Sequence, residues 1–357
     1  MQRLAGLIAL PDGSTRPGRV SFSEHLESVE LTSEHAADLV LPGPIDLQVN
    51  GAGKLSVADA SSDELIELAR LLAREGTTAF LPTVITAELE QVEAADRAIA
   101  GARAKQNGRA DGAAILGMHL EGPFISSARR GVHPRLTLAP AGEALERVAH
   151  LSSLRLITLA PELSGARDAI VALVRRGIVV SLGHSEATLE QANDAIVAGA
   201  RMGTHLFNAM RPIHHRDPGI AAALLSSQAY AAVIPDGVHV HPTMLRLAVR
   251  ARGAAGVVLT SDRTPLIGDV KAKDGAARLA DGTLAGSIIS MIDGMRLMVE
   301  RAGVTVGEVA QMAATNPAAV LGIADRGRLE PGARADLIVL DSELRLKAVF
   351  IGGRELH

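Results

Sequence analysis

No cysteine and no tryptophan occur among the 357 residues, and there is one tyrosine with five phenylalanines. The missing cysteines exclude a disulfide scaffold, a thiolate nucleophile and any Cys-ligated zinc. A bound metal would have to rest on histidines and carboxylates. So few aromatic rings leave little for nucleobases to stack on, which argues against sequence-tolerant single-strand binding. An excess of one charge is lacking as well: 36 Lys and Arg stand against 40 Asp and Glu, a net charge of −4 with no block of like sign. That balance argues against a nucleic-acid track or a polybasic membrane patch and points to a small partner. No apolar run approaches the roughly 18 to 20 residues that cross a bilayer, because Gly, Ser, Asp or Arg interrupts each one. The opening run from Leu4 to Leu10 meets Pro11 without a small-residue cleavage pattern, so it reads as a β-strand rather than a targeting signal. A soluble, cytoplasmic protein is the expectation.

What the chain does contain is a repeated alternation. Short apolar runs, each ending in polar or chemically capable residues, give way to helical patterns. Eight such runs are legible: Ile45–Val49, Thr78–Leu81, Ala114–Leu120, Leu154–Ala160, Ile178–Leu182, Arg201–Thr204, Ala231–Ile234 and Val257–Thr260. Between most of them lie amphipathic stretches, at Ala87–Ala104, Ala166–Arg176, Leu189–Ala198 and Thr243–Arg252. Ser61 and Glu64 have capping-box spacing ahead of Leu65, Leu68, Leu71 and Leu72, and Gly76 ends that helix. Strands alternating with helices imply a parallel sheet, and eight of them over about 250 residues or somewhat more predict an α/β fold, a closed (β/α)8 TIM-type barrel.

The flanks break this rhythm. Residues 1–41 offer short strand-like runs around Pro11-Asp12-Gly13, and residues 332–357 read as two strands, Asp336–Leu340 and Leu346–Ile351, before Gly352-Gly353. A small β-sandwich domain built from both termini is expected, with 42–331 as the barrel. Helical patterns near Ile289–Arg301 and Val306–Leu321 would close it.

Catalytic groups of such a barrel sit at the carboxyl ends of its strands. Glu121, His184 and His205 each follow an apolar run, among 12 histidines in all. Two imidazoles and a carboxylate form a catalytic zinc set with a fourth position open. Each residue alone could be a hydrogen-bonded loop residue; three at equivalent strand ends favour a metal. Asp262 ends the eighth run and could move a proton from water to a leaving amine, or merely cap the next turn. Glu162 and Asp236 are rivals for that role.

Six segments then point to one family: Gly117-Met118-His119-Leu120-Glu121-Gly122-Pro123-Phe124, Gly131-Val132-His133-Pro134, Gly183-His184-Ser185, Thr204-His205-Leu206-Phe207-Asn208-Ala209-Met210, Arg216-Asp217-Pro218-Gly219 and Asp236-Gly237-Val238-His239. In this order the chain resembles the N-acetylglucosamine-6-phosphate deacetylases of the amidohydrolase superfamily, from Pro42 to Leu337. The resemblance implies that Glu121, His184 and His205 hold a divalent metal and that Asp262 is general base and acid. It further implies that His133 reaches the acetamide region of the substrate and that its neighbour Val132 is substrate-binding. Asn208, Ala209, Arg216, Asp236, Gly237, Val238 and His239 match positions that hold sugar hydroxyls and phosphate, and Leu284, Ala285 and Gly286 a loop beside the acetyl group. A homodimer is implied, with Arg216, and in one version His239, reaching the neighbouring subunit's substrate.

Two departures bear on this expectation. Many amidohydrolases carry His-x-His after the first strand for a second metal, whereas this chain has Gln48-Val49-Asn50. Amides are weak ligands, so one ion per subunit is expected: zinc foremost, with iron, cobalt and manganese also suited to this donor set. Arg263-Thr264-Pro265 follows the base in place of small residues, which bears on the pocket entrance and the choice of amino sugar. The expected reaction is hydrolysis of N-acetylglucosamine-6-phosphate to glucosamine-6-phosphate and acetate. The rivals are the galactosamine isomer and a barrel that only binds phosphosugars.

Overall fold

The computed structural model describes residues 1–33, 37–107 and 110–356. Its eight barrel strands are β1 (Ile45–Val49), β2 (Ala79–Ile85), β3 (Met118–Glu121), β4 (Leu154–Leu159), β5 (Val179–Leu182), β6 (Met202–Gly203), β7 (Tyr230–Val233) and β8 (Val257–Leu259). Each pairs in parallel with the next in chain order. Closure between β8 and β1 is made differently. The N–H groups of Asn50 and Gly51 both donate to the Arg263 carbonyl, at 2.7 and 3.2 Å. Below them the buried Asp46 carboxyl accepts from the Thr260 hydroxyl at 3.0 Å and the Ser261 N–H at 3.1 Å.

Local sequence explains most of these elements. The helix Ser62–Arg74 starts on a capping box between Ser61 and Glu64 and buries Leu65, Leu68 and Leu72 against the barrel. The third apolar run does not stay continuous. It splits into Ala114–Ile115 and β3, because Gly117 takes a φ of +142° and a Cβ there would meet the Ser153 carbonyl at 2.7 Å. The late helical segments Met291–Leu297 and Val306–Ala310 continue through wider, π-type turns at Met298–Ala302 and Gln311–Thr315, the second running on into Asn316–Leu321. The helix Gly142–Ala149, with Ala144, Leu145, Val148 and Ala149 at helical spacing, adds to the expected elements. Two further elements carry no clear sequence pattern, the helix Gly219–Ser226 and a three-stranded antiparallel ribbon of Lys271–Lys273, Ala276–Arg278 and Leu284–Ser287.

The termini build a seven-stranded sheet in the order Arg354–Leu356, Leu346–Ile351, Leu337–Leu340, Leu39–Pro42, Gln2–Ala9, Thr15–Phe22, Leu26–Leu31. Phe22 and Phe350 lie on strands four places apart, about 19 Å in a flat sheet. Their rings nevertheless meet edge to face at 5.3 Å. The sheet therefore folds over on itself, and the layer between its halves holds Ile8, Val20, Phe22, Leu26, Val40, Leu337 and Phe350. Among the described residues no helix is long and apolar enough to cross a membrane.

Candidate active site

Inside the barrel a polar layer lies just before the strand ends. Burial pushes His119 down to about 4, so its ring is neutral. Since a carbonyl can only accept, Nδ1 carries the hydrogen and donates to the Leu47 carbonyl at 3.0 Å, leaving Nε2 to accept from the Thr158 hydroxyl at 2.8 Å. Thr158 bonds Thr204 at 2.7 Å, and Thr204 bonds Ser181 at 2.5 Å. The residues one to three positions further along β3, β5 and β6 are Glu121, His184 and His205.

Their ligand atoms lie within 4.8 Å of one another, and all three residues are buried. Glu121 Oε1 stands 3.0 Å from His184 Nε2 and 2.9 Å from His205 Nε2, and the two ring nitrogens are 3.2 Å apart. Burial pushes the His184 pKa down to about 4, and its Nδ1 donates to the Arg129 carbonyl at 2.8 Å. Nε2 therefore presents a lone pair to a carboxylate oxygen and a second imidazole. Such a contact is repulsive without a cation, and second-shell bonding of this kind orients a ligating histidine. The separations also approach the about 3.3 Å edge of a tetrahedron with bonds of 2.0–2.1 Å. The donor set fits a divalent ion. Burial acts to raise the Glu121 pKa, but hydrogen bonds from the histidines that face it with a ring hydrogen, His133 first, outweigh it and hold the carboxyl well below the usual range. For His205 burial is likewise overcome, by its bond to Glu121 and the negative charges of Glu121 and Asp262, and its pKa is raised.

The backbone is strained where the chemistry sits. His184, His205 and Asp262 have φ values of +48°, +30° and +47°, and Phe207 and Ala209 follow at +78° and +49°. Non-glycine residues rarely adopt this region, and such strain clusters at functional sites. Asp262 Oδ1 accepts from Gln48 Nε2 and Asn50 Nδ2, both at 2.9 Å. Burial, followed by the nearby charge of Glu121, pushes its pKa up to about 7. His133 Nδ1 accepts from the Thr86 N–H at 3.4 Å and lies 2.9 Å from the Thr86 hydroxyl, so the ring's hydrogen is on Nε2, 3.6 Å from Glu121 Oε2.

These groups open into a cavity of about 730 Å³. A buried ligand triad, a carboxyl tuned to neutral pH and strained strand ends on one rim are the parts of a metal-assisted hydrolase. Comparison with known proteins agrees. The amidohydrolase family model matches residues 39–356. The chain belongs to the amidohydrolase family. It is 38% identical to an N-acetylglucosamine-6-phosphate deacetylase of Danio rerio, over 91% of this chain and 87% of that one. It is also 38% identical to an N-acetylgalactosamine-6-phosphate deacetylase of Escherichia coli O157:H7, over 90% and 89%. An N-acetyl-D-glucosamine-6-phosphate deacetylase of Mycobacterium smegmatis, an Asp-to-Ala variant in complex with N-acetyl-D-glucosamine-6-phosphate, superposes with a TM-score of 0.90 at 32% identity, covering 99% of this chain and 98% of that one.

Of the residues the amidohydrolase resemblance singled out, Val132, His133, Asn208, Ala209, His239, Leu284, Ala285 and Gly286 line the cavity with the triad and Asp262. Gly286 permits this closeness, since with φ +95° a Cβ there would meet the Asp262 carbonyl at 2.7 Å. Arg216 is exposed outside the cavity and bonds His215 at 2.8 Å. Asp236, Gly237 and Val238 are not among the lining residues. The Asp236 carboxylate instead caps its own turn, accepting from the N–H groups of Val238 and His239 and from His239 Nδ1 at 2.9, 2.8 and 2.6 Å. Glu162 is similarly engaged, by the Ser185 hydroxyl and the Glu186 N–H, both at 2.7 Å. Arg263 does not reach the entrance: its side chain pairs with Glu75 and its carbonyl closes the barrel, whereas Thr264 and Pro265 line the cavity. Ser56, Arg129 and Arg278 also stand on the cavity wall, and no sequence pattern singles them out. Thr83 had a signal, as the polar end of the second apolar run.

Proposed function

We propose that the chain hydrolyses the N-acetyl group of N-acetylglucosamine-6-phosphate, giving glucosamine-6-phosphate and acetate, in the cytoplasm and in amino-sugar catabolism or cell-wall sugar recycling. The convergence of Glu121, His184, His205 and Asp262 on one cavity carries this reading, in a chain so similar along its length to a deacetylase of that sugar phosphate. Glu121, His184 and His205 would hold one divalent ion, zinc foremost, which supplies Lewis acidity toward the acetyl carbonyl and water. Asp262 takes a proton from the attacking water and returns it to the departing amine, and its unbonded oxygen faces the cavity where both transfers occur. His133, its Nδ1 accepting from Thr86, turns its Nε2 hydrogen toward the oxyanion that forms on the carbonyl.

In this reading Val132 contacts the acetamide end and Leu284, Ala285 and Gly286 border the acetyl methyl, while Asn208, Ala209 and His239 orient the sugar. The Asp236–Gly237–Val238 turn acts through its hold on His239. Arg216 grips the phosphate of a neighbouring subunit's substrate in a homodimer, which accounts for an exposed guanidinium outside its own cavity. The termini, 1–41 and 332–357, form a supporting β-domain around the 42–331 barrel. The galactosamine isomer stands as a second reading on the equal identity to its deacetylase. A barrel without catalysis has no support in a site that keeps both triad and base. Turnover of an Asp262→Asn variant tests the proposal. With the ion retained, kcat falls on the order of 10²- to 10⁴-fold, the usual contribution of a positioned general base. Near-normal turnover would place the base elsewhere and overturn this reading.

A further inference from the structure

Gln48, near the end of β1, is 2% exposed, and its side chain meets two carboxylates at once. Its Nε2 donates to Glu121 Oε1 at 3.1 Å and to Asp262 Oδ1 at 2.9 Å. The amide orientation follows from chemistry, since an ionised carboxylate accepts only and both neighbours require the NH2 end. The backbone of Gln48 is fixed to the same strand end as the base. Its N–H donates to Asp46 Oδ1 at 3.2 Å, and that oxygen also receives Thr260 and Ser261, the two residues before Asp262. Asn50 Nδ2 gives Asp262 Oδ1 a second amide donor at 2.9 Å. Oδ1 is thus satisfied twice by protein, while no described group bonds Oδ2, and Asp262 lines the cavity.

We propose that Gln48 is a positioning residue that ties the ion's carboxylate ligand to the general base, holding Asp262 with Oδ1 turned to the protein and Oδ2 to the substrate. Two carboxylates joined by one amide present opposite partial charges along the whole line from Glu121 through Gln48 to Asp262. A carboxylate in place of Gln48 would repel both, and an apolar side chain would leave both free to turn. The amide pair Gln48 and Asn50 therefore has a task of its own, beyond marking the lack of a second histidine pair. With Oδ1 occupied, Oδ2 is the atom that receives the proton from water and hands it to the amine, so the carboxyl does not rotate between the two transfers.

The inference rests on Asp262 being the base, so its test runs in two backgrounds. Gln48→Met keeps the length and removes both donors. It should lower kcat about tenfold to a hundredfold, the scale of a hydrogen bond to a charged group, with KM for N-acetylglucosamine-6-phosphate nearly unchanged and one ion still bound by elemental analysis. In the Asp262→Asn background the same substitution should change the residual rate by less than about twofold, because the group it positions no longer transfers a proton. An equal loss in both backgrounds, or no loss in the first, would overturn the inference. Should Gln48→Met fail to fold or lose its ion, Asn50→Leu, which removes only the other donor to Oδ1, decides the matter by the same pair of rates. Full activity of Asp262→Asn itself would mark failure of the functional reading, and is seen separately from either result.

Discussion

Stripped of its ion with a chelator, the protein should be stabilised by Asp262→Asn, and by an amount that grows with pH. The folded-state pKa of Asp262 is pushed from 3.8 up to about 7, first by burial and then by the charge of Glu121. The unfolded chain releases this proton near 3.8 and the folded chain keeps it to about 7, so between the two values folding takes up a proton. A raised pKa contributes stability fully below the unfolded value, and that contribution is lost as pH rises through the folded one. The slope is about −1.4 kcal/mol per pH unit, and over about three units it sums to about 4 kcal/mol. Asparagine does not titrate, and its Oδ1 still accepts from Gln48 and Asn50. Asp46, whose pKa burial also raises, is present in both proteins and cancels in the difference. Urea melts of both chelated proteins at pH 5, 6, 7 and 8 measure it. The stability gap in favour of the variant should widen by about 1.4 kcal/mol per unit up to about pH 7 and then flatten. A gap constant from pH 5 to 8 would refute the burial argument, and with excess divalent ion the gap should shrink or reverse, because the cation favours the carboxylate.

The remaining expectations concern ion, phosphate and rate. His184→Ala should lose most of its bound divalent ion on dialysis along with activity, since two donors seldom hold such an ion; elemental analysis showing one ion per chain in a fully active variant would contradict the ligand assignment. Arg216→Ala should raise KM strongly for the phosphorylated sugar and barely for the unphosphorylated one, and equal effects on both would indicate a structural role. In the wild type, kcat/KM should fall on the acid side, because the base must be ionised, with the midpoint drawn below the metal-free value of about 7 by the bound cation, and this acidic limb should vanish from the residual rate of Asp262→Asn.

Much of the site was legible because a barrel turns a one-dimensional pattern into a rim. An apolar run followed by Glu121, His184, His205 or Asp262 says where each side chain goes once the strands are parallel, and all four do converge. The direction of a loop side chain has no such rule. Asp236 has the composition of a substrate ligand, yet its carboxylate folds back onto Val238 and His239. Arg263 follows Asp262, yet its guanidinium runs to Glu75 on the far end of the first long helix. Elements were missed where periodicity is absent. Gly219–Ser226 is apolar on every side, and Lys271–Lys273 is exposed throughout, so neither alternates in a way that sets one face apart. The polar layer of His119, Thr158, Ser181 and Thr204 was hidden for a related reason: single polar residues inside apolar runs become a network only when neighbouring strands bring them into register.

Removal of acetyl from a phosphorylated N-acetylglucosamine in this cavity can be measured directly. Acetate release, followed by proton NMR with the purified protein and one equivalent of zinc, should be measured on N-acetylglucosamine-6-phosphate, its galacto epimer and unphosphorylated N-acetylglucosamine. Acetate should be stoichiometric and kcat/KM highest on the first, lower on the epimer and much lower without phosphate. Preference for the epimer would transfer the activity to the galactosamine isomer, and no acetate from any of the three would contradict the account.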